Sequence, residues 1–201
     1  MESLELIGST LGLGLLAGTR LYATVLATGL LVRFELVQLP EHLSELSVLA
    51  DWRVLAAAAV LFFIEFIADK IPWLDSVWDA VHTFIRPLGA VAVGIAAVSG
   101  ADNGLMMWLA PAAGGVGFAG HSAKAATRLL VNHSPEPFSN IAISLAEDIA
   151  VPVGAWFVLA HPFLALGIVV AFVVVFVYMA ERIFRFVRDK WTQRRAGWKT
   201  A

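Results

Sequence analysis

Ionisable side chains recur at helical spacing inside apolar stretches of this 201-residue chain. Thr24 and Thr28 follow Arg20 at steps of four, and Asp69 follows Glu65 by four, so each set lies on one helix face. Two later stretches have the same kind of spacing. The first contains His121, Lys124, Arg128 and Asn132, and the second contains Asn140, Ser144, Glu147 and Asp148. Basic and acidic helix faces therefore alternate along the chain.

A charged side chain near the centre of a bilayer costs about 2.5–3.5 kcal/mol. Opposite charges on such helices must therefore meet or share a water-filled cavity. For the first basic face, we predict that Arg20 contacts Glu65 or Asp69.

For the second basic face, we predict contacts of Lys124 or Arg128 with Glu147 or Asp148. Intramembrane ionisable groups generally mark function, which favours a pathway for a solute, an ion or protons. Static ion pairs that lock the helices together are the alternative. The predicted pathway residues are Arg20, Glu65, Asp69, Lys70, His121, Lys124, Arg128, Asn140, Ser144, Glu147 and Asp148.

The segment from 72 to 86 carries the densest polar face. Asp75, Asp79, His82 and Arg86 stand at i, i+4, i+7 and i+11 of an amphipathic helix. The first three could bind a divalent metal ion, and Lys70, His82 and Arg86 could hold an anion. Periodicity alone favours an interfacial helix whose polar face meets water, and a re-entrant segment is the other interpretation. No other cofactor is predicted.

The amino-acid composition indicates whether these helices lie in water or in a lipid bilayer. Hydrophobic residues make up 59% of the chain and charged residues 15%, with a mean hydropathy of +0.79. Soluble domains are about 45–50% apolar and about 25% charged, so the bilayer is the expected solvent. The net charge of −2 argues against nucleic-acid binding. The absence of cysteine excludes disulfides and thiolate metal sites.

The apolar stretches predict an all-α, polytopic membrane bundle of about six transmembrane helices. They run over residues 6–32, 54–68, 87–99, 105–131, 141–159 and 163–180. The third stretch is short and is expected to extend back through the 73–86 segment. The basic tail from Arg182 to Lys199 should be cytoplasmic, and the acidic loop from Arg33 to Arg53 should lie outside. Six spans would then place both termini in the cytoplasm.

A repeated glycine motif suggests two related halves. Gly12–Gly18 resembles Gly114–Gly120, and each half then has a Pro-Glu pair and a helix with central acids. A three-span unit must enter the membrane from opposite sides in its two copies, which predicts inverted repeats at 1–103 and 104–187, followed by a tail at 188–201 within one structural domain. Close helix packing through small residues is the alternative explanation of the glycines.

Several motifs together resemble a family of small bacterial inner-membrane proteins catalogued only as a domain of unknown function. They are Gly18-Thr-Arg20, Ala68-Asp-Lys-Ile-Pro72 with Asp75 and Asp79, His82-Thr-Phe-Ile-Arg-Pro87, and Ser134-Pro-Glu-Pro137 with Asn140 and Glu147-Asp148. The resemblance covers nearly the whole chain. It implies a multi-pass protein of the bacterial inner membrane, and it carries no activity.

Three functions fit the sequence. The favoured one is a small transporter or channel, with a solute or ion site between the halves and coupling to protons. The alternatives are a metal-dependent enzyme acting on a lipid head group, for which no complete catalytic motif is present, and a non-catalytic membrane scaffold. The expected partners are the lipid bilayer and a small solute, ion or lipid phosphate. A bundle this small could form a homodimer, although no residue requires one.

Overall fold

The described part of the protein is built from α-helices and one 3₁₀ helix. The computed structural model describes the backbone of residues 2–132 and 137–197, and their side chains except at positions 72, 130–132, 137, 140 and 193–197. The α-helices are α1 (Glu2–Thr19), α2 (Leu21–Arg33), α3 (Trp52–Ala68), α4 (Pro72–Val98), α5 (Asn103–Asn132), α6 (Pro137–Ala160) and α7 (Pro162–Gly197), and the 3₁₀ helix is Glu41–Ala50. Contacts divide the chain into two compact units, Met1–Val169 and Val170–Ala201. The predicted repeat boundary at residue 103 falls inside the first unit and stays a prediction.

Three described helices are long and apolar enough to cross a membrane, which indicates a membrane protein. They are Trp73–Val98 within α4, Ile141–Ala160 within α6 and Pro162–Thr192 within α7. A fourth span results if the 3₁₀ helix and α3, which meet at 65°, are counted together. The prediction of six spans is therefore not confirmed.

The first predicted span, residues 6–32, is broken at Arg20, whose extended backbone (φ −147°, ψ 91°) separates α1 from α2. In one continuous helix, Glu5 and Leu36 would lie about 46 Å apart. Both instead line one cavity of about 570 Å³, and Glu5 Oε2 is 3.8 Å from His42 Nε2. The chain therefore reverses at Arg20, and α1 and α2 form a helical hairpin with Arg20 at its tip.

This reversal changes the predicted relation between the N terminus and the acidic loop, while the side of the membrane that each one faces stays a prediction. The sequence analysis placed the N terminus and the acidic loop on opposite sides of the membrane, because it counted α1 and α2 as one span. Glu5 and His42 share one end of the first unit, and so the start of the chain and this loop share it as well. In the loop, the 3₁₀ helix buries Leu43, Leu46 and Leu49.

The two glycine motifs pack directly against each other where α1 crosses α5. A Cβ atom on Gly18 would lie 2.0 Å from the carbonyl oxygen of Gly117, and one on Gly14 would lie 2.8 Å from that of Ala113. Close packing, the alternative left open above, therefore accounts for the glycines. The contact numbers rise together along both helices, so α1 and α5 run in the same direction. Inverted repeats require opposite directions, so the predicted inverted relation is not confirmed for this pair.

The 72–86 segment is neither a separate interfacial helix nor a re-entrant segment. It is the first half of α4, which continues past Pro87 to Val98, as expected from the short third stretch. Its polar face does not meet water, because Asp75, Asp79 and His82 are all less than a tenth exposed. Partners from other helices make this burial tolerable.

Candidate functional site

Arg20 is the centre of a buried ion cluster at the tip of the α1–α2 hairpin. Its guanidinium is fully buried and lies 2.5 Å from Asp69 Oδ2, 2.8 Å from Asp148 Oδ1 and 3.3 Å from Glu147 Oε2. Its Nη2 also donates to Ser144 Oγ at 3.0 Å. The helix break places all three nitrogens of one guanidinium among groups that follow α3 or lie on α6. Arginine suits this position because its planar group offers five donors in fixed directions.

Two cations from α5 join the same carboxylates. Lys124 Nζ lies 3.3 Å from both Asp69 Oδ2 and Glu147 Oε2, and Arg128 Nη2 donates to Glu147 Oε2 at 2.9 Å. Lys124 and Arg128 are almost completely buried. One α5 face therefore carries positive charge to the hairpin tip.

Lys70 completes this cluster from the connection after α3. Its Nζ lies 3.0 Å from Asp148 Oδ2 and donates to Ser144 Oγ at 3.1 Å. The ammonium also lies 3.3 Å from the ring centroid of Phe66, a cation–π contact. We call Arg20, Asp69, Lys70, Lys124, Arg128, Ser144, Glu147 and Asp148 the tip cluster. It contains four cations and three carboxylates.

A second cluster surrounds Arg86 in the middle of α4. Arg86 Nη2 donates to Glu65 Oε1 and its Nη1 to Asp79 Oδ1, both at 2.8 Å. Nη1 also lies 3.0 Å from His121 Nδ1, and His121 Nε2 lies 3.1 Å from Thr83 Oγ1. Because the guanidinium can only donate, His121 is assigned as neutral with its proton on Nε2. We call Arg86, Glu65, Asp79, Thr83 and His121 the Arg86 cluster.

His82 connects this part of α4 to the hairpin. Its Nδ1 lies 2.8 Å from the carbonyl oxygen of Trp78, and its Nε2 lies 3.2 Å from the Tyr22 hydroxyl. The imidazole stacks on the Trp78 ring at 4.5 Å between centroids and meets the Tyr22 ring edge-on at 5.7 Å. Both ring nitrogens are therefore occupied by protein groups.

A cavity of about 230 Å³ lies between α4 and α5 and touches both clusters. Arg128 of the tip cluster and Asp79 and Thr83 of the Arg86 cluster line it, together with Asp75 and Ser76. Asp75 is fully buried. The cavity thus presents carboxylate, guanidinium and hydroxyl groups together.

We predicted that Arg20 contacts Glu65 or Asp69. The contact with Asp69 is confirmed. Glu65 turns to Arg86 instead, because Arg86 projects from the neighbouring α4.

The predicted contacts of the second basic face are confirmed for Lys124 and Arg128 with Glu147. Asp148 instead binds Arg20 and Lys70. The side chain of Asn140 lies outside the part of the chain that the structure describes. The pathway role of all these residues stays a prediction.

The predicted metal ligands do not gather around one point. Asp79 accepts from Arg86, His82 is used by Trp78 and Tyr22, and Asp75 lies on the cavity. Among residues 2–132 and 137–197, no group of three or more such side chains is placed to hold a metal ion. Metal binding therefore stays a prediction without geometric support.

The sequence analysis missed Arg86 as a pathway residue and missed Tyr22 and Thr83 altogether. A signal for Arg86 existed, since Glu65 needs a cation and Arg86 shares a helix face with Asp79, seven residues before it. Nothing in the sequence indicates that Tyr22 faces His82, because that contact depends on the chain reversal at Arg20.

The comparisons with known proteins agree with the motifs. No curated protein and no solved structure matches the chain. The pattern of one family, described as "Domain of unknown function (DUF4126)", matches residues 7–182 and so includes both ion clusters and the cavity. The chain therefore belongs to the DUF4126 family.

Proposed function

We propose that the protein is a small membrane transporter or channel in which a small solute or ion occupies the cavity between α4 and α5. The observation that carries this proposal is that one cavity is lined by members of both ion clusters, Arg128 and Asp79. A ligand there can exchange contacts with either cluster without leaving a buried charge uncompensated. The volume of about 230 Å³ suits an ion with bound water or a small polar solute.

The charges favour coupling to protons. The clusters and Asp75 hold five cations and six carboxylates within the described residues. The cations are Arg20, Lys70, Arg86, Lys124 and Arg128, and the carboxylates are Glu65, Asp69, Asp75, Asp79, Glu147 and Asp148. Within the described residues, the carboxylates outnumber the cations by one. A carboxylate that is buried in a medium of low polarity favours uptake of a proton or a monovalent cation.

The proposed location is the bacterial inner membrane, with the basic tail from Arg182 in the cytoplasm. The Glu5 end would then lie outside with the acidic loop. This transport proposal does not need inverted halves, because the cavity and both clusters are built from the hairpin and α3 to α6.

The two other functions suggested by the sequence gain nothing from the geometry. A metal-dependent enzyme needs Asp75, Asp79 and His82 to converge, and they do not. A scaffold could use glycine faces to bind a partner, but Gly14 and Gly18 pack inside the chain against α5.

Proton flux into liposomes tests the proposal. The full chain is reconstituted with a pH-sensitive dye inside, and a potassium gradient with valinomycin drives proton entry. We expect a flux above that of empty liposomes, which Asp79→Asn and Glu147→Gln reduce to the empty level. Glu41→Gln, an exposed acid in the 3₁₀ helix, is the matched control and should leave the flux unchanged. If folded Asp79→Asn and Glu147→Gln conduct protons as the unmodified chain does, proton coupling through this network is wrong.

A further inference from the structure

An apolar groove of about 570 Å³ runs between α3 and α4 and over α2. Small residues form much of its wall, including Ala57 on α3 and Gly89, Ala92 and Ala96 on α4. The Leu21 side chain packs directly on Gly89, since a Cβ atom there would lie 2.3 Å from Leu21 Cδ2. The groove shares no lining residue with the cavity between α4 and α5.

The two ends of the groove differ in chemistry. Arg53, in the first turn of α3, lines one end. Leu61 lies two turns further along α3, about 12 Å away, and Tyr22 closes that end, where its hydroxyl meets His82. The groove thus leads from an exposed cation to a polar group at the edge of the Arg86 cluster.

Arg53 is placed to bind an anion. No ion pair involving Arg53 occurs among the described residues, and its guanidinium lies 5.8 Å from the ring centroid of Trp52. Trp52 is 64% exposed, as is typical of aromatic residues at the level of lipid head groups. Both residues stand at the N-terminal end of α3, where the helix dipole also favours negative charge.

We propose that this groove binds one phospholipid, with its phosphate at Arg53 and one acyl chain along the alanine-lined wall toward Tyr22. The walls belong to α4 and to the 3₁₀ helix–α3 pair, which are candidate membrane spans, so hydrocarbon surrounds the groove. An acyl chain matches the apolar lining, and a phosphate matches the exposed cation at its end. A protein partner would match the lining but not this arrangement of charge. The inference does not depend on the transport proposal.

Native mass spectrometry of the detergent-purified full chain tests the site. The probes are phosphatidylglycerol and phosphatidylcholine with identical acyl chains. We expect one retained lipid per chain and a preference for phosphatidylglycerol. Arg53→Gln should reduce that preference about fivefold, the effect of one basic residue near an anionic lipid.

Variants that fill the groove distinguish a lipid bound in the groove from the lipids that surround the whole protein. Ala57→Phe and Ala92→Phe, which place a ring in the groove from opposite walls, should abolish retention. Ala59→Phe is the matched control, since Ala59 is an exposed alanine on α3 outside the groove, and it should retain the lipid. Equal retention by all folded variants would overturn the proposal. A lipid-free dimer that Ala57→Phe dissociates would overturn it too, since a second copy would then cover the groove.

Discussion

Each of the two ion clusters neutralises a buried arginine, but the backbone at that arginine differs between them. In the tip cluster, the central arginine stands at a helix break and meets carboxylates from the end of α3 and from α6. In the Arg86 cluster, the central arginine lies within the continuous helix α4 and meets carboxylates from α3 and α4. The first cluster has more cations than carboxylates, and the second has more carboxylates than cations.

This difference indicates different structural roles. The tip cluster is what holds the end of the α1–α2 hairpin, because Arg20 has no neighbour on its own helices to balance its charge. The ion pairs of the Arg86 cluster join two helices that would adjoin without them, since α3 and α4 are connected by a short turn, and His121 adds a contact to α5. The cavity between α4 and α5 is lined by the cation Arg128 of the tip cluster and by the carboxylate Asp79 of the Arg86 cluster.

The largest expected effect is that of Arg20→Gln. It removes the three ion pairs of one fully buried guanidinium, and breaking a buried pair of this kind costs about 3–5 kcal/mol. The free energy of unfolding in detergent, measured by titration with a denaturing detergent, should fall by that amount. Arg20→Lys keeps the charge but not the planar group, so an intermediate loss is expected. A loss below about 1 kcal/mol for Arg20→Gln, the level of a surface pair, would mean that the tip cluster does not hold the hairpin.

Arg86→Gln should cost less, about 3 kcal/mol, because Arg86 makes two ion pairs and Arg20 makes three. Removing one of the stranded charges in Arg86→Gln/Glu65→Gln should recover part of this loss. The same unfolding titration measures the single and double variants as a cycle. If Arg86→Gln destabilises the protein as much as Arg20→Gln, the contrast between the clusters fails.

Gly18→Ala tests whether the α1–α5 crossing positions the tip. The added Cβ atom would lie 2.0 Å from the Gly117 carbonyl oxygen, and the helices would have to separate at a cost of about 1–3 kcal/mol. Gly115→Ala is the control, because a Cβ atom there meets nothing within 4 Å and alanine favours the helix. A stability of Gly18→Ala equal to that of Gly115→Ala would show that this contact is not tight.

The smallest effect is expected for Lys70→Met. The Lys70 side chain is 21% exposed, and Asp148 keeps Arg20 as a second partner. The loss of unfolding free energy should be about 1 kcal/mol or less, and it should shrink further in high salt, since partly exposed pairs are screened. A loss as large as that of Arg20→Gln would place Lys70 among the essential cations.

Helical spacing and the cost of buried charge were enough to predict the ionic contacts of Arg20, Lys124 and Arg128. They were not enough to predict the chain reversal, because an apolar run from 6 to 32 has the length of one span whether or not it turns back. The reversal also sets the direction of α5 relative to α1, so this direction could not be predicted either. The buried face of 72–86 was also out of reach, because an amphipathic pattern does not tell whether water or other helices meet the polar side.

The α1–α2 hairpin constrains the order in which the helices assemble during translation. Arg20 emerges from the ribosome first, while its counterions Asp69, Glu147 and Asp148 are synthesised about 50 to 130 residues later. Until α3 and α6 have entered the bilayer, the guanidinium at its final depth in lipid would lack part of its counterions. The N-terminal hairpin should therefore wait at the membrane surface until these helices are in place, although it is made first.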